Sequence, residues 1–233
     1  MGADGSGGGP EESDPLIPSV LRIERILEGG SGTPALALCD DGIRRVVKLS
    51  GAGGGPVALL TELLALRVSE RFGAPVPGAC PVVVPEGLPW TAGTDEFDAV
   101  LLRSAGHALG IEWADGAREM TADEALALPP ATRRAIAGAD ARLANVDRTR
   151  ANPNILRCTN GTPLAIDYDA CLFLSRAVAG RPRGTGLPPG HLFSGIPPMP
   201  EPRLDWPAML ADLPDAWIAP TGLGRAALAD ALR

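Results

Sequence analysis

Short runs of apolar residues, separated by glycine, proline and acidic residues, dominate the first hundred positions of the chain and predict β-strands. The tight-turn sequence Asp40-Asp41-Gly42 should join two of these strands into a hairpin. Five runs have this character, at residues 15–28, 35–39, 44–50, 79–85 and 97–104. The chain is therefore expected to begin as a β-rich unit.

Helical spacing of leucines interrupts this pattern once, within residues 57–73, where Gly73 and the prolines after it are expected to end the helix. The pattern changes from Thr121 onward, because Thr121 and Glu124 form a capping-box sequence that predicts a helix start. Further helices are predicted at residues 131–145, 205–213 and 221–232, with a small hairpin formed by 154–157 and 164–166.

This distribution predicts an α+β chain with two lobes, a β-rich N-lobe and a short α-rich C-lobe. We expect a disordered leader at residues 1–15, an N-lobe at 16–106 and a C-lobe at 107–233. The C-lobe includes a segment rich in proline and glycine, residues 178–204. Ligands of two-lobed proteins usually bind between the lobes.

Composition narrows the class of protein. The chain has 233 residues, 45% of them hydrophobic, so it can bury a sizeable core. A net charge of −7 without a dense basic face makes nucleic acid an unexpected partner. No apolar run is long enough to span a bilayer and the leader does not resemble a signal peptide, so we expect a cytoplasmic protein without membrane contact.

Cysteine and histidine add little to the chemistry that the sequence suggests. The four cysteines are widely spaced and are expected to be buried thiols. His107 and His191 lack neighbours at metal-ligand spacing and are expected at the surface or in loops.

The candidate chemistry centres on residues 145–167. Asp147 is followed five positions later by Asn152, and Asp167 ends the apolar run LAID. In phosphoryl transfer, one carboxylate orients the acceptor hydroxyl, while an amide and a second carboxylate hold Mg²⁺ on the nucleotide phosphates. Asp147 is thus a candidate catalytic residue, and Asn152 and Asp167 are candidate metal ligands. Arg148 is expected either to neutralise a phosphate or to pair with Asp147.

Positive charge for the phosphates has one obvious source, because Lys48 is the only lysine of the chain. It ends a predicted strand, and the following helix offers Glu62, or alternatively Glu70, as its partner. Lys48 and Glu62 are therefore candidate nucleotide-binding residues.

Two glycine-rich loops are candidates for contact with the phosphates through main-chain N–H groups. Gly30, Ser31 and Gly32 belong to the first, and residues 51–55 form the second, which more closely fits a linker.

These residues resemble the HipA-like kinase family, within the wider protein-kinase-like and phosphoinositide-kinase-like group. The resemblance rests on GGSGTP, VVKLS and TELLALRVSERFGAPVP, and above all on NVDRTRANPNIL followed by LAIDYD. It covers approximately residues 20–175. Asp169 and Thr149 depart from the pattern, since glycine and histidine respectively are common at these positions.

The resemblance implies a protein-kinase-like fold in which Lys48 contacts ATP and pairs with Glu62, Asp147 acts as catalytic residue, and Asn152 and Asp167 bind Mg²⁺. It also implies that residues 100–106 join the lobes and face the adenine. The implied function is an ATP- and Mg²⁺-dependent phosphotransferase acting on a hydroxyl acceptor, with protein serine or threonine favoured. A catalytically inactive nucleotide-binding pseudokinase or scaffold, and a small-molecule kinase, are the alternatives.

Overall fold

The computed structural model describes residues 17–27, 32–90, 94–184 and 186–233. The expected leader, Gly30 and Ser31 lie outside the described residues. Within these ranges the chain forms the following elements: β1 (Val20–Ile26), β2 (Ala35–Cys39), β3 (Arg44–Lys48), α1 (Gly55–Arg71), β4 (Ala79–Val84), α2 (Asp95–Leu102), β5 (Gly106–Glu112), β6 (Arg118–Glu119), α3 (Ala122–Leu126), α4 (Pro130–Leu143), β7 (Ile155–Arg157), β8 (Pro163–Ala165), α5 (Phe173–Val178), α6 (Trp206–Leu210), α7 (Asp215–Ile218) and α8 (Arg225–Ala231).

A five-stranded antiparallel sheet in the order β1-β2-β3-β5-β4 forms the first part of the chain. A small sheet in the order β6-β7-β8 and most of the helices follow it. The expected combination of a β-sheet region with helices is therefore confirmed, whereas the division into two lobes stays a prediction. No helix in the described part of the chain is both long and apolar enough to cross a membrane.

The five-stranded sheet is covered by helices on both faces. Apolar side chains of one face, including Val47, form a core with Phe97 and Val100 of α2. Leu109 on the other face belongs to a larger core that contains the leucines of α1 and the side chains of α4, α6 and α7. Because side chains alternate along a strand, Val47 points toward α2 and the neighbouring Lys48 points toward α1.

The prediction of a strand at residues 97–104 is wrong, because Asp95–Leu102 form α2. The Thr94 hydroxyl accepts a hydrogen bond from the Phe97 N–H and caps this helix, and three acidic residues in its first turn interact favourably with the helix dipole. The apolar run VLL is typical of a strand, yet Leu102 is largely exposed.

The sheet contains β5 in place of the strand predicted at residues 97–104. β5 was not among the predicted elements. β5 lies between β3 and β4, so the sheet extends to Glu112, beyond the domain boundary expected at residue 106. Residues 100–106, expected to join the lobes, instead end α2 and begin β5. The chain leaves the sheet at residues 113–117.

Two of the predicted helix ends have the expected local structure. The α1 helix ends at Arg71, and Gly73 follows it with a left-handed φ of 76°, a conformation that glycine adopts without steric cost. Thr121 and Glu124 form the expected capping box at the start of α3.

The segment rich in proline and glycine is packed onto the core despite its irregular backbone. The described part of residues 179–204 contains no helix or strand. Nevertheless His191, Leu192 and Phe193 within it are buried. This segment therefore contributes side chains to the interior.

A substitution on α4 can test how closely this helix packs against the segment of residues 179–204 and against Phe72. A Cβ atom at Gly138 would lie 2.8 Å from the Met199 carbonyl oxygen and 2.8 Å from the Phe72 ring. Gly138→Ala should therefore destabilise the protein by up to about 2 kcal/mol, although alanine is the better helix former by about 1 kcal/mol. Urea unfolding followed by circular dichroism measures the change. Ala141→Gly in the same helix is the control and should cost only about 1 kcal/mol; a stabilising Gly138→Ala would contradict the close packing.

Candidate active site

Lys48 connects the sheet to the two acidic residues nearest to it. Its ammonium nitrogen lies 2.7 Å from Oε2 of Glu62 on α1 and 2.9 Å from Oδ1 of Asp167. Glu62 is therefore its partner on α1, as the sequence favoured over Glu70. The side chain of Glu62 is 1% exposed, that of Lys48 20% and that of Asp167 37%. Of the two acidic partners of Lys48, Glu62 therefore lies in the core and Asp167 is accessible to solvent.

The electrostatics of this group keep the lysine protonated. Burial favours the neutral amine, but the carboxylates of Glu62 and Asp167 outweigh it and raise the pKa of Lys48 above its ordinary value. Burial raises the pKa of Glu62 to about 7, while the ammonium of Lys48 opposes that rise. Lys48 therefore presents a fixed positive charge beside Asp167.

Asp147 lies in a loop that begins where α4 ends. Ala144 has a left-handed backbone with φ 51°, which ends the helix and lets the Asn145 N–H bond back to the Asp140 carbonyl. Asp147 Oδ2 accepts hydrogen bonds from the side-chain amides of Asn152, at 2.7 Å, and Asn154, at 2.8 Å. Two amide donors therefore fix the position of this carboxylate.

Asn154 joins the loop of Asp147 to the segment of Asp167. Its side chain binds Asp147, and its main-chain oxygen accepts a hydrogen bond of 2.9 Å from the Ile166 N–H. Asp167 follows Ile166 with a left-handed φ of 59°, a conformation that aspartate tolerates better than most residues.

The structure thus places five of the predicted site residues in two sets of contacting side chains. Ion pairs join Lys48, Glu62 and Asp167, and an amide hydrogen bond joins Asp147 and Asn152. The main-chain hydrogen bond between Ile166 and Asn154 connects the two sets.

The donor set of this group fits Mg²⁺. Asn152 donates to Asp147 through Nδ2, and its amide oxygen accepts no hydrogen bond from the described residues, which leaves that oxygen to bind a cation. Asp167 accepts from Lys48 through Oδ1, which leaves Oδ2 for the same purpose. An amide oxygen and a carboxylate oxygen are hard ligands of the kind that Mg²⁺ uses together with substrate phosphates.

Asp169 adds negative charge to the same region, although in the sequence it stands out only as a departure from the family pattern. Its pKa is raised by partial burial and by the carboxylates of Asp167 and Asp147, and Lys48 opposes that rise. Three aspartates therefore contribute to one electrostatic field that faces a single lysine. Such a field attracts cations to the site.

The two glycine-rich loops have different surroundings. Gly32, the described member of the first loop, has open space around the position of a Cβ atom. In the second loop, Gly51 packs against α2, because its N–H donates to the Ser104 hydroxyl and a Cβ would lie 2.7 Å from the Val100 carbonyl oxygen. This loop connects β3 to α1, as the sequence favoured, but it packs against α2, which was not predicted.

Arg148 contacts neither Asp147 nor an open phosphate site, so that expectation is wrong. Its guanidinium is fully buried and donates from Nε to Asp140 Oδ2 at 2.7 Å. Its Nη1 donates to the carbonyl oxygens of Pro153, at 3.0 Å, and Asn154, at 2.6 Å. Burial disfavours the charge, but Asp140 outweighs that effect and raises the pKa of Arg148. Arg148 therefore positions the loop around Asp147.

His191 completes this buried network. It lies in a loop, one of the two expected positions, but it is buried and has an acidic partner. Its Nε2 lies 3.1 Å from Asp140 Oδ2, and its Nδ1 accepts a hydrogen bond from the Phe193 N–H. The Leu192 N–H also donates to the Arg148 carbonyl oxygen. The segment of residues 178–204 is thereby attached to the loop that contains Asp147.

The sequence contains one indication of this network, and the prediction of the site from motifs did not use it. Asp140 has helical spacing with the buried residues Ile136 and Leu143 on α4. A carboxylate on the apolar face of a helix needs a cationic or hydrogen-bonding partner. That requirement could have identified Asp140, although spacing alone does not select Arg148 and His191 as its partners.

Removing the charge of Asp140 should be costly. Asp140→Asn leaves the buried guanidinium of Arg148 uncompensated, so we expect a loss of about 3–5 kcal/mol in the free energy of unfolding. Asp123→Asn is the control, because Asp123 forms an exposed ion pair with Arg150 and should change stability by less than about 1 kcal/mol. Equal effects of the two substitutions in urea unfolding would contradict the role assigned to the buried pair.

Comparisons with known proteins concern the family of the chain. One solved structure to which the chain is similar is a proinflammatory kinase from Helicobacter pylori, CtkA, at 14% sequence identity and a TM-score of 0.42. The match covers 68% of this chain and spans 61% of the length of that one. No curated protein matches the sequence. The model of the HipA-like kinase family matches residues 20–174, which is more than half of the chain. The chain therefore belongs to the HipA-like kinase family.

Proposed function

We propose that this chain is an ATP- and Mg²⁺-dependent kinase with a two-lobed protein-kinase-like fold, which transfers the γ-phosphate to a hydroxyl group. The observation that supports this best is the position of Lys48 between Glu62 and Asp167. A strand-borne lysine held by a buried glutamate beside an accessible aspartate is the arrangement that binds nucleotide phosphates in kinases. Membership of the family supports kinase chemistry in general.

The proposed binding step involves Lys48 and the two metal-binding side chains. Lys48 contacts the α- and β-phosphates while Glu62 keeps its ammonium in place. Asn152 and Asp167 would hold Mg²⁺, which when bound neutralises charge on the β- and γ-phosphates. The direct contact of Lys48 with Asp167 supports a common site of action for the two side chains.

The proposed transfer step uses Asp147. Its carboxylate accepts a hydrogen bond from the acceptor hydroxyl and takes the proton as the hydroxyl oxygen attacks the γ-phosphorus. The bond from that oxygen to phosphorus forms, the bond between phosphorus and the β,γ-bridging oxygen breaks, and ADP leaves. Asn152 and Asn154 hold Asp147 in the orientation that this requires.

Serine or threonine of a protein is the acceptor we propose. Val146 and Leu172 are exposed apolar side chains that flank the bridge between Asn145 and Cys171, next to Asp147. Apolar contacts at this position suit a polypeptide segment better than a small polar acceptor.

Transfer from labelled ATP to a generic protein acceptor, or to the chain itself, tests the proposed step. Asp147→Ala and Asp167→Ala should each lower the rate by about 10²–10⁴-fold, because they remove the proton acceptor and a metal ligand respectively. Asp123→Ala, which removes an exposed carboxylate, should retain the wild-type rate. Unchanged transfer by Asp147→Ala would exclude Asp147 as the catalytic residue.

Thermal unfolding separates binding from transfer. Mg²⁺ with ATP at about 100 times its Kd should stabilise the wild-type protein by about 2.7 kcal/mol. Asp167→Asn should lose the Mg²⁺-dependent part of that stabilisation, whereas Asp147→Ala should keep it while losing transfer. Stabilisation of the wild-type protein without transfer to any acceptor would indicate a nucleotide-binding pseudokinase, and no stabilisation would contradict the nucleotide site.

A further inference from the structure

Two adjoining cavities lie beside α4, among residues that the proposed reaction does not use. The larger has a volume of about 300 Å³. Its lining combines apolar and charged side chains, namely Phe72, Pro198, Met199, Arg142, Arg183 and Glu201. The smaller cavity shares Arg142 and Arg183 with it and adds Arg176 and Arg181. Four arginines therefore surround one concave region.

Positive charge in this region greatly exceeds negative charge. Arg142 and Arg183 both pair with Oε1 of Glu201, at 2.8 Å and 3.2 Å. In the described part of the chain, no other carboxylate lies within 4.0 Å of the four guanidiniums, and Arg176 and Arg181 have no such partner. Four positive charges facing one carboxylate are unusual in a chain whose net charge is −7.

Arg142 is held in place although the charge of Arg183 repels it. Arg142 is 5% exposed, its Nη2 donates to the Leu232 carbonyl oxygen, and its guanidinium lies 5.2 Å from the centre of the Trp206 ring. Burial lowers the pKa of Arg142, Glu201 opposes that effect, and the charge of Arg183 lowers the pKa further. An additional anion would relieve this repulsion and would meet a guanidinium that is already oriented.

We propose that this region is a binding site for a phosphate monoester, separate from the nucleotide site. The planar, multidonor guanidinium groups match phosphate oxygens, and within the described part of the chain Arg176 and Arg181 have no carboxylate partner that a phosphate would have to replace. Phe72, Pro198 and Met199 provide an apolar wall for the organic part of the ligand. The volume exceeds that of a phosphate group alone and reaches the lower end of the range for small-ligand sites.

The site touches two segments that adjoin the candidate active site. Ala144, where α4 turns into the loop of Asp147, lines the smaller cavity, as does Phe173 at the start of α5. A Cβ atom at Gly184 would lie 3.1 Å from Arg176 Nη1 and 3.7 Å from the Ala144 Cβ, so these segments are in contact. A bound phosphate monoester would therefore contact residues next to the loop of Asp147 and on the segment that follows Asp167.

Calorimetric titration of the full chain, without nucleotide or Mg²⁺, tests the site independently of kinase activity. The probes are inorganic phosphate, phenyl phosphate and a peptide containing phosphoserine. We expect saturable binding, with both monoesters binding more tightly than inorganic phosphate. The double variant Arg176→Gln/Arg183→Gln should weaken binding of the tighter monoester by at least about tenfold.

Two controls locate the binding. Arg103→Gln removes one exposed positive charge elsewhere and should leave affinity unchanged. Lys48→Ala alters the nucleotide site and should also leave it unchanged, so failure of the proposed kinase reaction does not affect this test. Arg181→Gln provides a second variant at an exposed position and should weaken binding even if the double variant fails to fold.

The relative affinities of the probes identify the source of the phosphate. Tighter binding of the peptide would support a phosphorylated protein as the ligand, and tighter binding of phenyl phosphate would support a small phosphomonoester. Absence of saturable binding, equal weakening by Arg103→Gln, or loss of binding in Lys48→Ala would overturn the proposal.

Discussion

The buried ion pair between Arg148 and Asp140 is the constraint on which the candidate site depends. Both side chains are completely removed from solvent, and such a pair is tolerated only when further polar contacts accompany it. Arg148 gains these contacts by donating to the carbonyl oxygens of Pro153 and Asn154, and its guanidinium lies 5.0 Å from the centre of the Tyr168 ring. The loop must therefore curve around the guanidinium, and with Arg148 directed into the core the adjacent Asp147 is directed outward.

The same pair connects the two carboxylates of the proposed reaction. Asn154 accepts from Arg148 and Ile166 through one main-chain oxygen and donates to Asp147 through its side chain. Asp167 follows Ile166 directly, and Lys48 then links Asp167 to Glu62 on α1. A continuous series of hydrogen bonds and ion pairs thus extends from the core of α4 to the core of α1. Displacement of the Arg148 guanidinium would disturb every member of this series.

Local patterns in the sequence were sufficient to predict much of this arrangement. Strand alternation and turn residues located β2 and β3, leucine spacing located α1, and together they predicted that Lys48 and Glu62 are neighbours. These predictions succeeded because each depends on residues close together in the chain. Two of the errors concern interactions whose partners are distant in sequence. β5 is a strand because it pairs with β3 and β4 on either side, and nothing within its own seven residues distinguishes it strongly. His191 lies 51 positions from Asp140, so only the folded chain reveals their contact.

Backbone strain is concentrated in the region of the candidate site. Among the described residues, four other than glycine have positive φ, and three of them are Ala144, Asn154 and Asp167. Each such conformation costs about 1–3 kcal/mol and persists only where the surrounding structure enforces it. Ala144 turns the chain out of α4, Asn154 closes the loop on Arg148, and Asp167 presents its carboxylate to Lys48. The strain is concentrated at the three points where the chain changes direction around the buried pair, so the hydrogen bonds of Arg148 to the loop must help to hold these conformations in place.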